Sequence, residues 1–104
     1  MIREARDDSE FQTVISGPGL SVAYFHAAWC GPCKTFGPLV GKAAEAHPEV
    51  RFVKADIEAC PGAARSCSVR AVPTVVLLRD GTAVDTRSGA MPPSALERWL
   101  AGHR

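Results

Sequence analysis

Trp29-Cys30-Gly31-Pro32-Cys33-Lys34 decides the reading of this chain. Just before it, Leu20-Ser21-Val22-Ala23-Tyr24-Phe25 is small and apolar and reads as a buried strand. Just after it, Phe36, Leu39, Val40, Ala43 and Ala44 recur at helical spacing. The two cysteines therefore stand where a strand ends and a helix begins. There the first helical turn leaves N–H groups unpaired, and the helix dipole places partial positive charge. Both stabilise a thiolate, the reactive form of cysteine. Cys30 falls at the helix start, with its sulfur expected to face solvent. Cys33 follows about one turn later, so the two sulfurs can meet and bond. Pro32 lacks an N–H, which the first turn does not need. A C-x-x-C also serves as half of a zinc site. The flanking Trp29, Gly31, Pro32 and Lys34 favour the redox reading.

Outward from this stretch, the chain alternates strand and helix. Residues 2–5 read as a short edge strand. Asp7 and Glu10 have capping-box spacing, Phe11, Val14 and Ile15 follow at helical spacing, and Gly17-Pro18-Gly19 stops that helix. The helix after the cysteines is predicted from Cys30 to His47, kinked at Pro38 and ended by Pro48. Val50 to Asp56 reads as a second buried strand, with Lys54 as a polar member. Cys60-Pro61 opens a short helix. Val75-Val76-Leu77-Leu78 is a third apolar strand, and Asp80-Gly81 turns it into a partner strand, Ala83 to Ser88. Ser94 and Glu97 are expected to cap a last helix that turns Leu96, Trp99 and Leu100 inward. The order βαβαβαββα predicts an α/β fold: a mixed five-stranded central sheet flanked by four helices on both faces.

The 104 residues suit one domain, 1–104. A net charge of +1 gives no footprint for nucleic acid or an anionic membrane, and no apolar run approaches a membrane span. The charged start, Met1 to Asp8, lacks the apolar core of a signal peptide. With four cysteines and no export signal, a reducing compartment is expected, the cytoplasm. Cys60 and Cys67 are too far apart for a disulfide if both lie on one helix, about 10.5 Å along its axis. They are expected to be free thiols, and their spacing is not that of a zinc knuckle.

The segment Trp29–Lys34 resembles the active site of the thioredoxin family, and the likeness extends along nearly the whole chain. Pro38 stands where thioredoxins carry a helix-kinking proline, Val72-Pro73-Thr74 looks like their cis-proline loop, and Gly81 and Gly89 match their hairpin and active-site glycines. The resemblance implies a thioredoxin fold and a protein-disulfide reductase working by dithiol–disulfide exchange. Cys30 would be the nucleophile and Cys33 the resolving thiol. Trp29, Gly31, Pro32, Val72, Pro73, Thr74, Gly89 and Ala90 would form a flat, mostly apolar docking surface. No bound cofactor is implied. Electrons would come from NADPH through thioredoxin reductase, or from a ferredoxin-dependent reductase. Clients would include ribonucleotide reductase, peroxiredoxins and methionine sulfoxide reductases, met by a monomer. Read by itself, Pro73 is also compatible with the commoner trans bond.

Two positions depart from the family pattern. Tyr24 stands where thioredoxins usually bury an aspartate, and His26 stands where a tryptophan is common. Tyr24 reads either as a core aromatic with a partner for its hydroxyl or as a water-mediated contact toward Cys33. His26 reads as a partly exposed rim residue or as a substitute base. Lys54 matches the family lysine near the aspartate and reads as partly buried, its head at the surface. These departures suit a specialised reductase with few clients. A thioredoxin-fold binding module whose redox state is only a switch is the alternative outside enzymes.

Overall fold

In the computed structural model, which describes residues 2–104, the elements are β1 (Ile2–Ala5), α1 (Asp8–Ile15), β2 (Leu20–His26), α2 (Gly31–Ala46), β3 (Arg51–Asp56), α3 (Pro61–Ser66), β4 (Thr74–Arg79), β5 (Thr82–Ser88) and α4 (Pro93–Ala101). The strands form one sheet in the order β1-β3-β2-β4-β5. β1, β3 and β2 are parallel, and β4 runs antiparallel to both β2 and β5.

Strand alternation sends consecutive side chains to opposite faces. Ala23 and Phe25 of β2 face α1 and α3, where they meet Phe11, Ile15 and Ala63. Val22 and Tyr24 face α2 and α4, where they meet Phe36, Val40, Leu96 and Leu100. With helices on both faces, an interior strand has no polar side, which is why β2 and β4 read as unbroken apolar runs.

The element ends show which local signals the chain obeys. Asp7 Oδ1 accepts the Glu10 N–H at 2.9 Å, as a cap should. The expected reciprocal half of the box is absent, because the Glu10 carboxylate is taken by the Arg6 backbone N–H at 2.7 Å and its guanidinium at 2.6 Å. Cys30 caps α2 rather than lying inside it, and the helix continues through Pro38. The last helix starts earlier than predicted, and Ser94 does not cap it. Pro92 is extended and Pro93 occupies the first helical position, where its fixed φ suits a helix start. Glu97 instead receives His47 Nε2 at 2.7 Å. Asp80 and Gly81 have φ of 53° and 84°, so the hairpin is the tight two-residue turn expected of Asp-Gly. Beyond the turn, the register slips between Leu77 and Leu78, leaving Val84 as an exposed bulge residue.

One capping interaction spans the chain. α3 has no side-chain cap of its own at Cys60. Its first N–H groups are met by Asp8 of α1, which accepts from Gly62 N at 3.0 Å and from Ala63 N at 2.8 Å. A Cβ on Gly62 would lie 2.8 Å from Asp8 Oδ2, so the carboxylate can seat itself only because residue 62 is glycine. Replacing Asp8 by Ala should lower unfolding free energy by about 1–2 kcal/mol, the usual loss for a helix cap. Urea titration checks this, and an unmoved midpoint would contradict it.

Candidate active site

β2 ends at His26, and after four intervening residues the chain enters α2 at Gly31. The connection is held by Cys30 N donating to Ala27 O at 3.1 Å and by Ile57 N donating to His26 O at 3.0 Å. Cys30 and Cys33 are bonded to each other, with Cα atoms 5.4 Å apart. The Cys33 N–H, one of the unpaired donors of the first turn, points at Cys30 Sγ at 3.2 Å. Negative charge on Cys30 would thus meet an N–H and the positive end of α2.

Cys30 does not turn its sulfur to solvent as expected. Cys30 is 4% exposed and Cys33 6%, because Ala27, Ile57 and Val72 pack over them. Accessibility therefore does not distinguish the two cysteines; position on the helix does. Ile57 is not among the site residues that the resemblance implies, although Asp56-Ile57 closes a strand in that pattern. Its signal was slight: an apolar residue directly after the C-terminal end of a parallel strand, where side chains of α/β sheets converge on sites.

Val72–Pro73 is cis, in line with the resemblance. The loop is fastened on both sides: Gly89 N donates to Pro73 O at 2.8 Å, and Thr74 Oγ1 donates to Ala71 O at 2.6 Å. Gly89 holds φ +91°, a conformation suited to glycine. Trp29 is 66% exposed, Gly31, Pro32, Gly89 and Ala90 are exposed, and Val72 is half-buried. Pro73 and Thr74 are buried, so they shape the surface without adding to it.

Tyr24 is a core side chain. It is 1% exposed, meets Phe36 edge-on, and its hydroxyl donates to the Cys33 backbone carbonyl at 3.0 Å. The hydroxyl is thus committed to the first turn of α2, not to a sulfur. Burial pushes its pKa up to about 12, so it is no base at neutral pH. His26 stacks on Tyr24, ring centroids 5.6 Å apart. It is partly exposed, its side chain 14%, while Nε2 itself is buried with no hydrogen-bond partner among the described residues and has Glu4 Oε2 3.8 Å away. Burial lowers its pKa, the Lys54 charge adds to this, and Asp56 and Glu4 oppose it. Lys54 is half-buried on β3, in register with Tyr24.

The second cysteine pair takes no part in this geometry. Cys60 and Cys67 are free, buried and placed at opposite ends of α3. Burial pushes the Cys60 thiol up to about 11, with nearby carboxylates contributing, and also raises Cys67. Among the described residues no group of His, Cys, Asp and Glu is arranged to hold a metal, and no helix is long and apolar enough to cross a membrane.

Residues 3–102 match the thioredoxin family model. The chain belongs to the thioredoxin family. It is 43% identical over 92 residues to mitochondrial thioredoxin-3 of Saccharomyces cerevisiae, covering 88% of this chain and 72% of that protein. Against the same organism's thioredoxin-1 it is 34% identical over 103 residues, 99% of both chains. A putative thioredoxin 2 from Streptomyces coelicolor is 47% identical over 72 residues, 69% of this chain and 54% of that protein. The fold matches the crystal structure of oxidised yeast thioredoxin 3 with a TM-score of 0.85 at 40% identity, over 97% of this chain and 94% of that one. Thioredoxins are thiol–disulfide oxidoreductases, and the bonded Cys30–Cys33 pair fits dithiol–disulfide exchange.

The partly buried imidazole of His26 carries a pH signature. With its folded pKa below the ordinary value near 6.5, His26 binds a proton less readily folded than unfolded. Stability should therefore fall as pH drops below about 6.5 and level off once the folded pKa is passed. His26→Gln should flatten urea midpoints measured between about pH 7.5 and 5, a range above most carboxylate titration. A slope equal to that of the parent would refute the assignment.

Proposed function

We propose that this thioredoxin reduces protein disulfides as a single domain, 1–104, with Cys30 as nucleophile and Cys33 as resolving thiol. The observation that supports the order is the placement of Cys30 Sγ at the N-cap of α2 with the Cys33 N–H upon it. The Cys30 thiolate attacks one sulfur of a client disulfide, and the other leaves as a thiolate and takes a proton. Cys33 then loses its proton and attacks Cys30 Sγ, breaking the mixed disulfide. The second client sulfur leaves as a thiolate, and Cys30–Cys33 is left oxidised. Resolution is intramolecular, which raises the effective thiol concentration.

The docking surface is Trp29, Gly31, Pro32, Val72, Gly89 and Ala90, with Pro73 and Thr74 holding its shape. An extended client can pair with the Val72 backbone by strand addition. Two electrons and two protons restore the dithiol, from NADPH through thioredoxin reductase or from a ferredoxin-dependent reductase. Ribonucleotide reductase, peroxiredoxins and methionine sulfoxide reductases are the client classes, met by a monomer in the cytoplasm. Tyr24 acts as a positioning residue for the first turn of α2. His26, held neutral at pH 7 by burial and by the Lys54 charge, is a base-competent side chain stacked on Tyr24.

Insulin reduction with NADPH and a thioredoxin reductase tests the activity; no turnover above the uncatalysed rate would reject it. Cys33→Ser should trap client mixed disulfides, whereas Cys30→Ser should trap none. In the reduced protein, one equivalent of alkylating agent at pH 7 should label Cys30 ahead of Cys33, and the reverse order would overturn the roles. Tyr24→Asp restores the family carboxylate and should make stopped-flow resolution of the mixed disulfide less dependent on pH. An unchanged profile would remove position 24 from proton transfer.

A further inference from the structure

Beside the sulfurs, a groove of about 380 Å³ lies between Trp29, α3 and the segment leading to Pro73. Its floor is apolar: Ile57, Ala64, Val69 and Val72. Ile57 and Val72 also pack on the Cys30–Cys33 pair, so the groove is continuous with the exchange site. Two arginines line it, Arg65 on α3 and Arg70 after it, both exposed. No carboxylate lines it; Glu58 follows Ile57 in sequence but is outside the lining.

These two arginines are unengaged. Among the described residues neither makes an ion pair. Elsewhere Arg6 pairs with Glu10, Arg87 with Asp85 and Arg104 with Glu49, while Arg51 bonds the Gly17 carbonyl and Arg79 the His103 carbonyl. Arg3 and Arg98 also lack an ion pair, but neither lines this groove. Unpaired guanidiniums on the wall of an apolar groove are suited to carboxylates, which they bind in a fork geometry.

We propose that Arg65 and Arg70 are specificity-determining residues that select clients with acidic residues beside the disulfide and an apolar side chain for the groove. This rests on the reductase reading above and adds the chemistry of the preferred partner. Charges at the rim act mainly on encounter rate and on its salt dependence. The preference therefore belongs in the second-order rate of disulfide attack.

The probes are three synthetic peptide disulfides, identical except for Glu, Gln or Lys at the two positions flanking one cysteine. Each is reduced by the prereduced protein under single-turnover conditions at low and high salt. The Glu peptide should react about fivefold faster than the Lys peptide at low salt, as expected for two exposed pairs of modest strength. High salt should collapse the ratio. Arg65→Glu combined with Arg70→Glu should reverse it. Equal rates in the parent, a preference for Lys, or a preference for Glu that survives charge reversal would overturn the proposal. Arg65→Gln and Arg70→Gln, made separately at these exposed positions, should each lower the Glu-to-Lys ratio, and an unchanged ratio in both would overturn the proposal even if the double reversal does not fold. Failure to reduce even the Gln peptide would instead count against the reductase reading.

Discussion

Strand β2 has no solvent-facing side. It hydrogen-bonds to β3 and β4, and helices cover both of its faces, so its register is set by two neighbours and two apolar layers at once. Slipping it by one residue would exchange Val22 and Tyr24 with Ala23 and Phe25, putting each into a layer shaped for the other. That restraint carries over to the chemistry. The end of β2 and the start of α2 are separated by only a short connection, so the place of Cys30 at the helix N-terminus follows from the fixed strand. Val72 arrives from the neighbouring β4 side and Ile57 from the β3 side. The three segments converge because their strands are adjacent in the sheet.

Most of this was legible from local pattern. The buried strands read as apolar runs, Asp80-Gly81 marked its turn, and the strand–cysteine–helix succession placed the reactive pair. The misreadings share a physical cause: a side chain with capping or surface potential was claimed by a distant or stronger partner. Glu10 has the spacing of a capping box, yet Arg6 takes it. Ser94 has the type of a helix cap, yet two prolines set the start earlier. Cys30 sits at a helix start, yet residues from two loops bury it. Asp8 lies far from α3 in sequence, and no one-dimensional signal links it to Gly62.

The layer beneath the pair replaces a charge with a dipole. Where related proteins usually hold a carboxylate, Tyr24 directs a hydroxyl to the Cys33 carbonyl. A buried carboxylate would disfavour a second negative charge nearby, whereas the neutral phenol leaves that field absent. The imidazole stacked against it is also driven toward its neutral form. The Tyr24–His26 stack is therefore uncharged at neutral pH. For the proposed Cys30 thiolate, the groups at hand are the Cys33 N–H and the N-terminal end of α2, which do not titrate.

The Asp8 carboxylate ties the beginning of the chain to its middle. α3 is short, and an isolated helix of that length is not stable in water. Its first turn is completed only when α1 is in place, because the acceptor belongs to α1. The two helices therefore share one opening event, and amide protons at Gly62 and Ala63 should exchange with solvent together with those of α1, not as a separately fraying unit. Since Pro61 and Ala64 of the same helix border the groove beside the sulfurs, α1 helps keep the exchange face in one shape, although it lies outside it.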